Sequence, residues 1–217
     1  MDRIQMRTRE ASSLTEEEML RCIVRYACRD ESSAERMSSI VCSHFSTVRS
    51  LLVAPVHFLK TLELSATLIE YVSLLREYAI RASYLPIKTV FSEQNIKDFA
   101  MMMLLRIGHL TTEVILGMLF TKEKRFLCTE NMALGSVNTA VFDTQTVIEA
   151  LNRHKASYVI LVHNHPSGYC LPSEEDEKTT SIIAEACKEC GYSVLDHYIV
   201  THNAVYSMYM QEYCILL

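Results

Sequence analysis

His163-Asn-His165-Pro-Ser-Gly-Tyr-Cys-Leu-Pro-Ser173-Glu-Glu-Asp176 follows directly on Ser157-Tyr-Val-Ile-Leu-Val162, an apolar run rich in β-branched residues. That run reads as a buried strand. Side chains alternate between the two faces of a strand, so histidines at spacing two point the same way. Pro166, Gly168 and Pro172 interrupt regular structure, and Ser173-Glu-Glu-Asp176 opens a helix as a capping box. Two imidazoles at a strand end thus lie near a carboxylate on the first turn of the next helix. Two His and one carboxylate leave a coordination position for water, the ligand set of a catalytic zinc (Zn2+). Each residue has a plainer use when taken singly: Ser173 and Asp176 as a helix cap, the histidines as polar strand-end groups. The spacing and the strand–loop–helix context together favour the metal.

The pattern His163-x-His165-x7-Ser173-x2-Asp176 resembles the metal-binding signature of the JAMM (MPN) metalloproteases without a gap. The fuller strings His163-Asn-His-Pro-Ser-Gly168, Pro172-Ser173-x-x-Asp176 and Leu195-Asp-His197-x-Ile-Val200 look like the bacterial RadC branch. The strong part of the match covers about residues 155–200, and a weaker likeness extends over most of the chain. The resemblance implies an MPN/JAMM-like mixed sheet with flanking helices, layered like the cytidine deaminases. It also implies zinc-dependent cleavage of an amide bond in a peptide or isopeptide substrate. The family's link to DNA repair supplies the alternative, a DNA-associated protein acting through its helical part with the metal secondary.

Composition sets the outer bounds. The 217 residues, 49% hydrophobic and 22% charged, allow one large or two small domains with cores of their own. No apolar run approaches the ~20 residues that span a bilayer. Charge at Met1–Glu10 without a following apolar segment is no secretory signal, so a cytoplasmic location is expected. The eight cysteines, among them Cys22, Cys28, Cys42, Cys128, Cys187 and Cys190, sit mostly in apolar periodic stretches. In a reducing compartment they read as small buried hydrophobes rather than disulfides. Residues 1–85 hold eleven Lys/Arg and eleven Asp/Glu, so the net charge of −5 falls on the remainder. Neither half is basic, which weighs against strong nucleic-acid binding.

Residues 13–81 read as helical, with capping signals in Ser13–Glu18 and apolar positions Met19, Leu20, Ile23, Val24 and Ala27 at helical spacing. A helix over Ser33–Cys42 and short apolar pieces Val48–Leu52 and Val56–Leu62 follow. Thr67–Arg81 is a long amphipathic helix with Leu68, Tyr71, Val72, Leu75 and Ala79 on one stripe. Residues 1–85 therefore form a small all-α domain, residues 82–91 the linker and residues 86–217 an α/β domain. The α/β part is expected as a helix from Ser92 to Arg106 or His109, a hairpin of Thr112–Thr121 with Arg125–Glu130, and a loop to Ser136. A short strand over Val137–Phe142 and a helix over Thr144–His154 lead to the central strand. The Ser173–Cys190 helix, ended by Gly191, and a hairpin of Tyr192–Thr201 with Ala204–Met208 complete a mixed sheet with helices packed on it.

In the RadC family the region matching residues 1–85 resembles a helix–hairpin–helix module, whose Gly-hydrophobic-Gly turn offers backbone amides to phosphate. Here that turn is Glu63-Leu-Ser-Ala-Thr67, without either glycine, which discounts DNA as a partner. In JAMM proteins a glutamate on an early strand acts as general base. Glu113, at the head of the apolar strand Val114–Phe120, takes that place, with Glu130 and Glu149 as weaker competitors. The family's matching serine hydrogen-bonds the developing oxyanion, so Ser173 has either that role or the helix cap. Asp196 and His197 are read as supporting a metal ligand from behind. His44, His57, His109, His154 and His202 are isolated and read as surface or satisfied polar residues. RadC-like chains carry Pro-Arg-Glu where this one has Asp143-Thr-Gln145. The substrate and the oligomeric state are not legible.

Overall fold

The computed structural model describes residues 13–84, 90–134, 141–142 and 144–216. They divide into two compact units, Met1–Tyr78 and Ala79–Leu217.

In the first unit every helix but the one that follows Pro55 starts where a side chain takes up a free backbone amide. Helix α1 (Glu16–Ala27) begins with a capping box between Thr15 and Glu18, and α2 (Glu31–His44) begins on Asp30. Thr47 and Ser50 box the start of α3 (Val48–Val53), and Pro55 precedes α4 (Val56–Thr61). Ser65 Oγ accepts from Leu68 N at 3.2 Å as α5 (Ala66–Tyr84) begins. Leu20, Val24, Val41, Leu51, Leu59, Leu68 and Val72 form the core. On α5 the expected stripe is rotated: Leu68, Ile69, Val72 and Arg76 are buried, while Tyr71 and Leu75 are only half-buried. An arginine in the apolar row hid that face. Glu63, in the turn before α5, has φ 54°, the left-handed conformation that glycine takes without cost.

The second unit is a six-stranded sheet between helices. Helix α6 (Ile96–Ile107) precedes β1 (Ile115–Phe120), which pairs antiparallel with β2 (Phe126–Asn131). A short pair, β3 (Ala133–Leu134) and β4 (Val141–Phe142), leads to α7 (Thr144–Arg153). Then come β5 (Tyr158–Asn164), α8 (Glu174–Glu189), β6 (Ser193–Val200), β7 (Ala204–Ser207) and β8 (Glu212–Leu216). The sheet order is β2-β1-β5-β6-β7-β8, antiparallel except for β5 and β6. A parallel pair needs a crossover, and α8 supplies it. Gly191, at φ 81°, turns the chain out of α8 as expected.

Both faces of the sheet are covered, which is why β1 is buried at all six positions. On one face Val147, Ala150 and Leu151 of α7 and Ile183 and Cys187 of α8 pack on Ile115, Leu119, Val159 and Leu161. On the other, Phe99 of α6 meets Phe120 and Phe126 at ring distances of 5.5 and 6.0 Å. Where α6 ends, a Cβ on Gly108 would lie 2.5 Å from the Thr201 carbonyl oxygen. Gly108→Ala should therefore cost about 1–3 kcal/mol by overpacking, read as a lower midpoint in chemical unfolding; an unchanged midpoint would refute the close approach.

Three expectations change. Strand β1 starts at Ile115 rather than Thr112, so Glu113 precedes it. Strand β8 had no counterpart in the sequence reading, which ended at Met208; its five residues continue the sheet beyond β7. The loop expected over Asn131–Ser136 contains the pair strand β3. Most of the strand expected over Val137–Phe142, part of the linker and Asp143 lie outside the described residues.

Candidate metal centre

His163 is the penultimate residue of β5 and is 2% exposed. His165 lies just past the strand but keeps its ladder, donating its backbone N–H to Val200 O at 2.8 Å. Asp176 is on the first turn of α8, and the Ser173 capping box holds it there. Ser173 Oγ and Ser173 N both donate to Asp176 Oδ2, at 2.6 and 2.7 Å, and Asp176 N donates back to Ser173 Oγ at 3.2 Å. Among the described residues, His163, His165 and Asp176 are the one group of three or more His, Cys, Asp or Glu that could hold a metal. Their ligand atoms lie within 4.8 Å of one another.

The hydrogen bonds behind the histidines fix which nitrogens carry protons, because a carbonyl can only accept. Thr180 Oγ1 donates to the Asp176 carbonyl at 2.6 Å and accepts from His197 Nδ1 at 2.6 Å. His197 Nε2 is then a lone pair, and it accepts from His163 Nδ1 at 2.7 Å. His165 Nδ1 donates to the Tyr169 carbonyl at 2.7 Å. Both histidines are left with Nε2 lone pairs, and these face each other at 2.7 Å. Asp176 Oδ1 stands 3.2 Å from the first and Oδ2 3.5 Å from the second. Three acceptors turned on one point could hold a cation, and the donor set suits zinc.

The ionisation of these groups agrees. Contact with Asp176 raises the His165 imidazole above its usual value against the effect of burial, and the nearby Glu113 carboxylate adds to the rise. Burial would raise the Asp176 carboxyl, but its contacts with His163 and His165 and the hydrogen bonds from Ser173 outweigh it and hold it far below the carboxylate range. Burial, reinforced by His163, pushes His197 well below its usual value and keeps it the neutral acceptor that the relay needs.

A model of the RadC-like JAB domain matches residues 93–213. The chain belongs to the RadC family. Its RadC-like domain thus covers the whole sheet up to β8 and all three converging side chains. Two of the named relatives run nearly the length of the chain. The UPF0758 protein of Streptococcus sanguinis is 26% identical over 216 residues, spanning 98% of this chain and 93% of its own. That of Desulforamulus reducens is 29% identical over 211 residues, spanning 94% and 92%. A third, from Streptococcus gordonii, is 31% identical over 106 residues, 49% of this chain and 46% of its own.

Within the RadC domain the other expected residues separate. Glu113 is exposed; it lies two residues before Ile115, the strand partner of His163, and its carboxylate is near enough to His165 to raise that imidazole. Asn164, between the two histidines, fastens that segment: its Oδ1 accepts from Val114 N at 2.8 Å and its Nδ2 donates to Thr112 O at 3.1 Å. The Asp196–His197 pair divides, because neighbours on a strand face opposite ways. His197 reaches His163; Asp196 does not reach the ligands. Buried, it accepts from Ser207 Oγ at 2.6 Å, Tyr209 N at 3.0 Å and its neighbour's amide at 2.7 Å, pinning the β7–β8 turn. Glu130 pairs with Arg153 and His154 instead of facing the centre. Thr180 and Asn164 were missed; a hydroxyl one helical turn beyond Asp176 was the only local signal.

Proposed function

We propose that this RadC-type domain is a zinc-dependent hydrolase that cleaves an amide bond in a peptide or isopeptide substrate. The observation that carries the reading is the pair of imidazole lone pairs facing each other and a carboxylate on one point, each held in place from behind. Zinc there would supply a Lewis acid that polarises a carbonyl and makes water nucleophilic near neutral pH.

The chain's own residues do the rest. His163, His165 and Asp176 are the ligands. Glu113 is the general base: it lies two residues before the strand partner of His163, its charge is felt at His165, and it is exposed to receive a proton and pass it to the leaving amine. Ser173, whose hydroxyl donates to Asp176 Oδ2 at 2.6 Å, orients the ligand carboxylate. Asn164 anchors the backbone on either side of Glu113. DNA association through the helical unit is not advanced: Glu63 places a carboxylate at the turn that would have to approach phosphate.

Glu113→Gln tests the assignment. The variant should keep its zinc and lose about 10²–10⁴-fold in turnover on a panel of peptide and isopeptide amides. Full turnover with zinc bound would remove Glu113 from the mechanism. Zinc-loaded wild type that cleaves no amide in the panel would count against the hydrolase reading.

A further inference from the structure

A second constellation of reactive side chains lies away from the metal centre. Cys128 pairs with Leu119, four residues along β1 from the partner of His163, or roughly 13 Å. Cys128 and Glu130 point to the same face of the edge strand β2, and His154 follows the last turn of α7 and lies between them. Cys128 Sγ is 3.5 Å from His154 Nδ1, and His154 Nε2 is hydrogen-bonded to Glu130 Oε2. Arg153 holds the other oxygen of Glu130. A carboxylate only accepts, so Nε2 carries the proton and Nδ1 presents its lone pair to the thiol. His154, read as isolated, and Cys128, read as a buried hydrophobe, are thus partners. We propose that Cys128, His154 and Glu130 form a nucleophile–base–orienter triad, a covalent-modification site for small soft carbon electrophiles.

The chemistry follows from the contacts. Burial, with the Glu130 carboxylate adding to it, pushes the Cys128 thiol above its ordinary value. The thiol is therefore protonated at neutral pH, and it reacts only as its proton leaves. As the sulfur–carbon bond forms and the leaving group departs with its electron pair, that proton passes to His154 Nδ1. Glu130 stabilises the imidazolium, and so does the helix C-terminus, where positive charge is favoured. The triad is reachable: Cys128 is half-buried, and the His154 and Glu130 side chains keep 34% and 22% of their surface exposed. Cys190, which is exposed, serves as an internal standard.

The test is limited alkylation of the full chain with iodoacetamide, the sites read by peptide mass spectrometry. In wild type Cys128 should react about tenfold or more faster than Cys190. His154→Gln should remove that advantage and leave Cys190 unchanged, and Glu130→Gln should reduce it partway. If His154→Gln does not fold, Glu130→Gln decides. In urea both cysteines should react alike. Alkylation of Cys190 first, or a Cys128 rate untouched by both variants, overturns the triad.

Discussion

In His163→Ala, purified beside wild type without a metal-chelating tag, zinc falls from about one ion per chain to background, and Asp176→Ala behaves the same way. Removing either ligand leaves two donors, too few to hold zinc through dialysis against a mild chelator. Thr180→Val should give an intermediate result, because it keeps every ligand but takes away the acceptor of His197 Nδ1–H. His197 is then free to switch tautomer and present an N–H to His163, and zinc affinity should drop about 10–100-fold. The affinity of wild type should also fall with pH. His165 holds its proton above the usual imidazole value, so protons begin to displace the metal above pH ~6.5 and do so more strongly below it. Asp176, held far below the carboxylate range, adds nothing to that loss until much more acid conditions. Elemental mass spectrometry on the three variants and wild type reads all of this. Zinc retained in His163→Ala would place the metal elsewhere; no zinc in wild type, even after reconstitution, would sink the hydrolase reading.

The parts of this protein that were legible in its sequence are those fixed by local chemistry. Strand β5 announced itself by an apolar β-branched run, and α8 by a capping box whose two members sit three residues apart. Those two signals also carry the metal ligands, which is why the candidate centre could be read at all. What escaped depends on contacts between distant segments. Thr180 matters only because β6 brings His197 within 2.6 Å of it, 17 residues on. Asn164 matters because it grips a segment about 50 residues earlier. The Cys128–His154 pairing needs the C-terminus of α7 to end over β2, which no periodicity reveals. Strand β8 is short and lies at the sheet edge, where Glu212 and Tyr213 stay exposed and leave a weak alternation. The stripe on α5 was misplaced for a different reason: hydrophobic periodicity gives no weight to an arginine, and the centre of the buried face is one.

Replacing that residue should produce the largest loss of stability in the helical unit. Arg76 is 4% exposed, and its hydrogen bonds go to backbone carbonyls rather than to a carboxylate. Its guanidinium instead donates Nε–H to Leu52 O and Nη2–H to Ala54 O, the latter at 2.6 Å. These carbonyls lie at the end of α3, a helix of six residues, where the chain runs at once into Pro55 and no N–H of a continuing turn can reach them. Burial lowers the guanidinium to about 10, so it stays charged at neutral pH and its desolvation is a standing cost. Arg76→Leu gives that cost back and keeps much of the volume. It also strands the buried Ala54 carbonyl and the part-buried Leu52 carbonyl, at about 1–3 kcal/mol for the first and less for the second. The second effect is the larger, and a net loss of about 3 kcal/mol is expected, or a melting temperature lower by roughly 10–20 °C for a unit of this size. Arg76→Lys should recover only part of it, because a single ammonium lacks the fork that spans both oxygens. Hydrogen exchange on the full-length chain gives the readout: amides of α3 and α5 should lose protection while those of β5 and α8 keep theirs. Unchanged protection in Arg76→Leu would mean that the charge costs as much as its two bonds return.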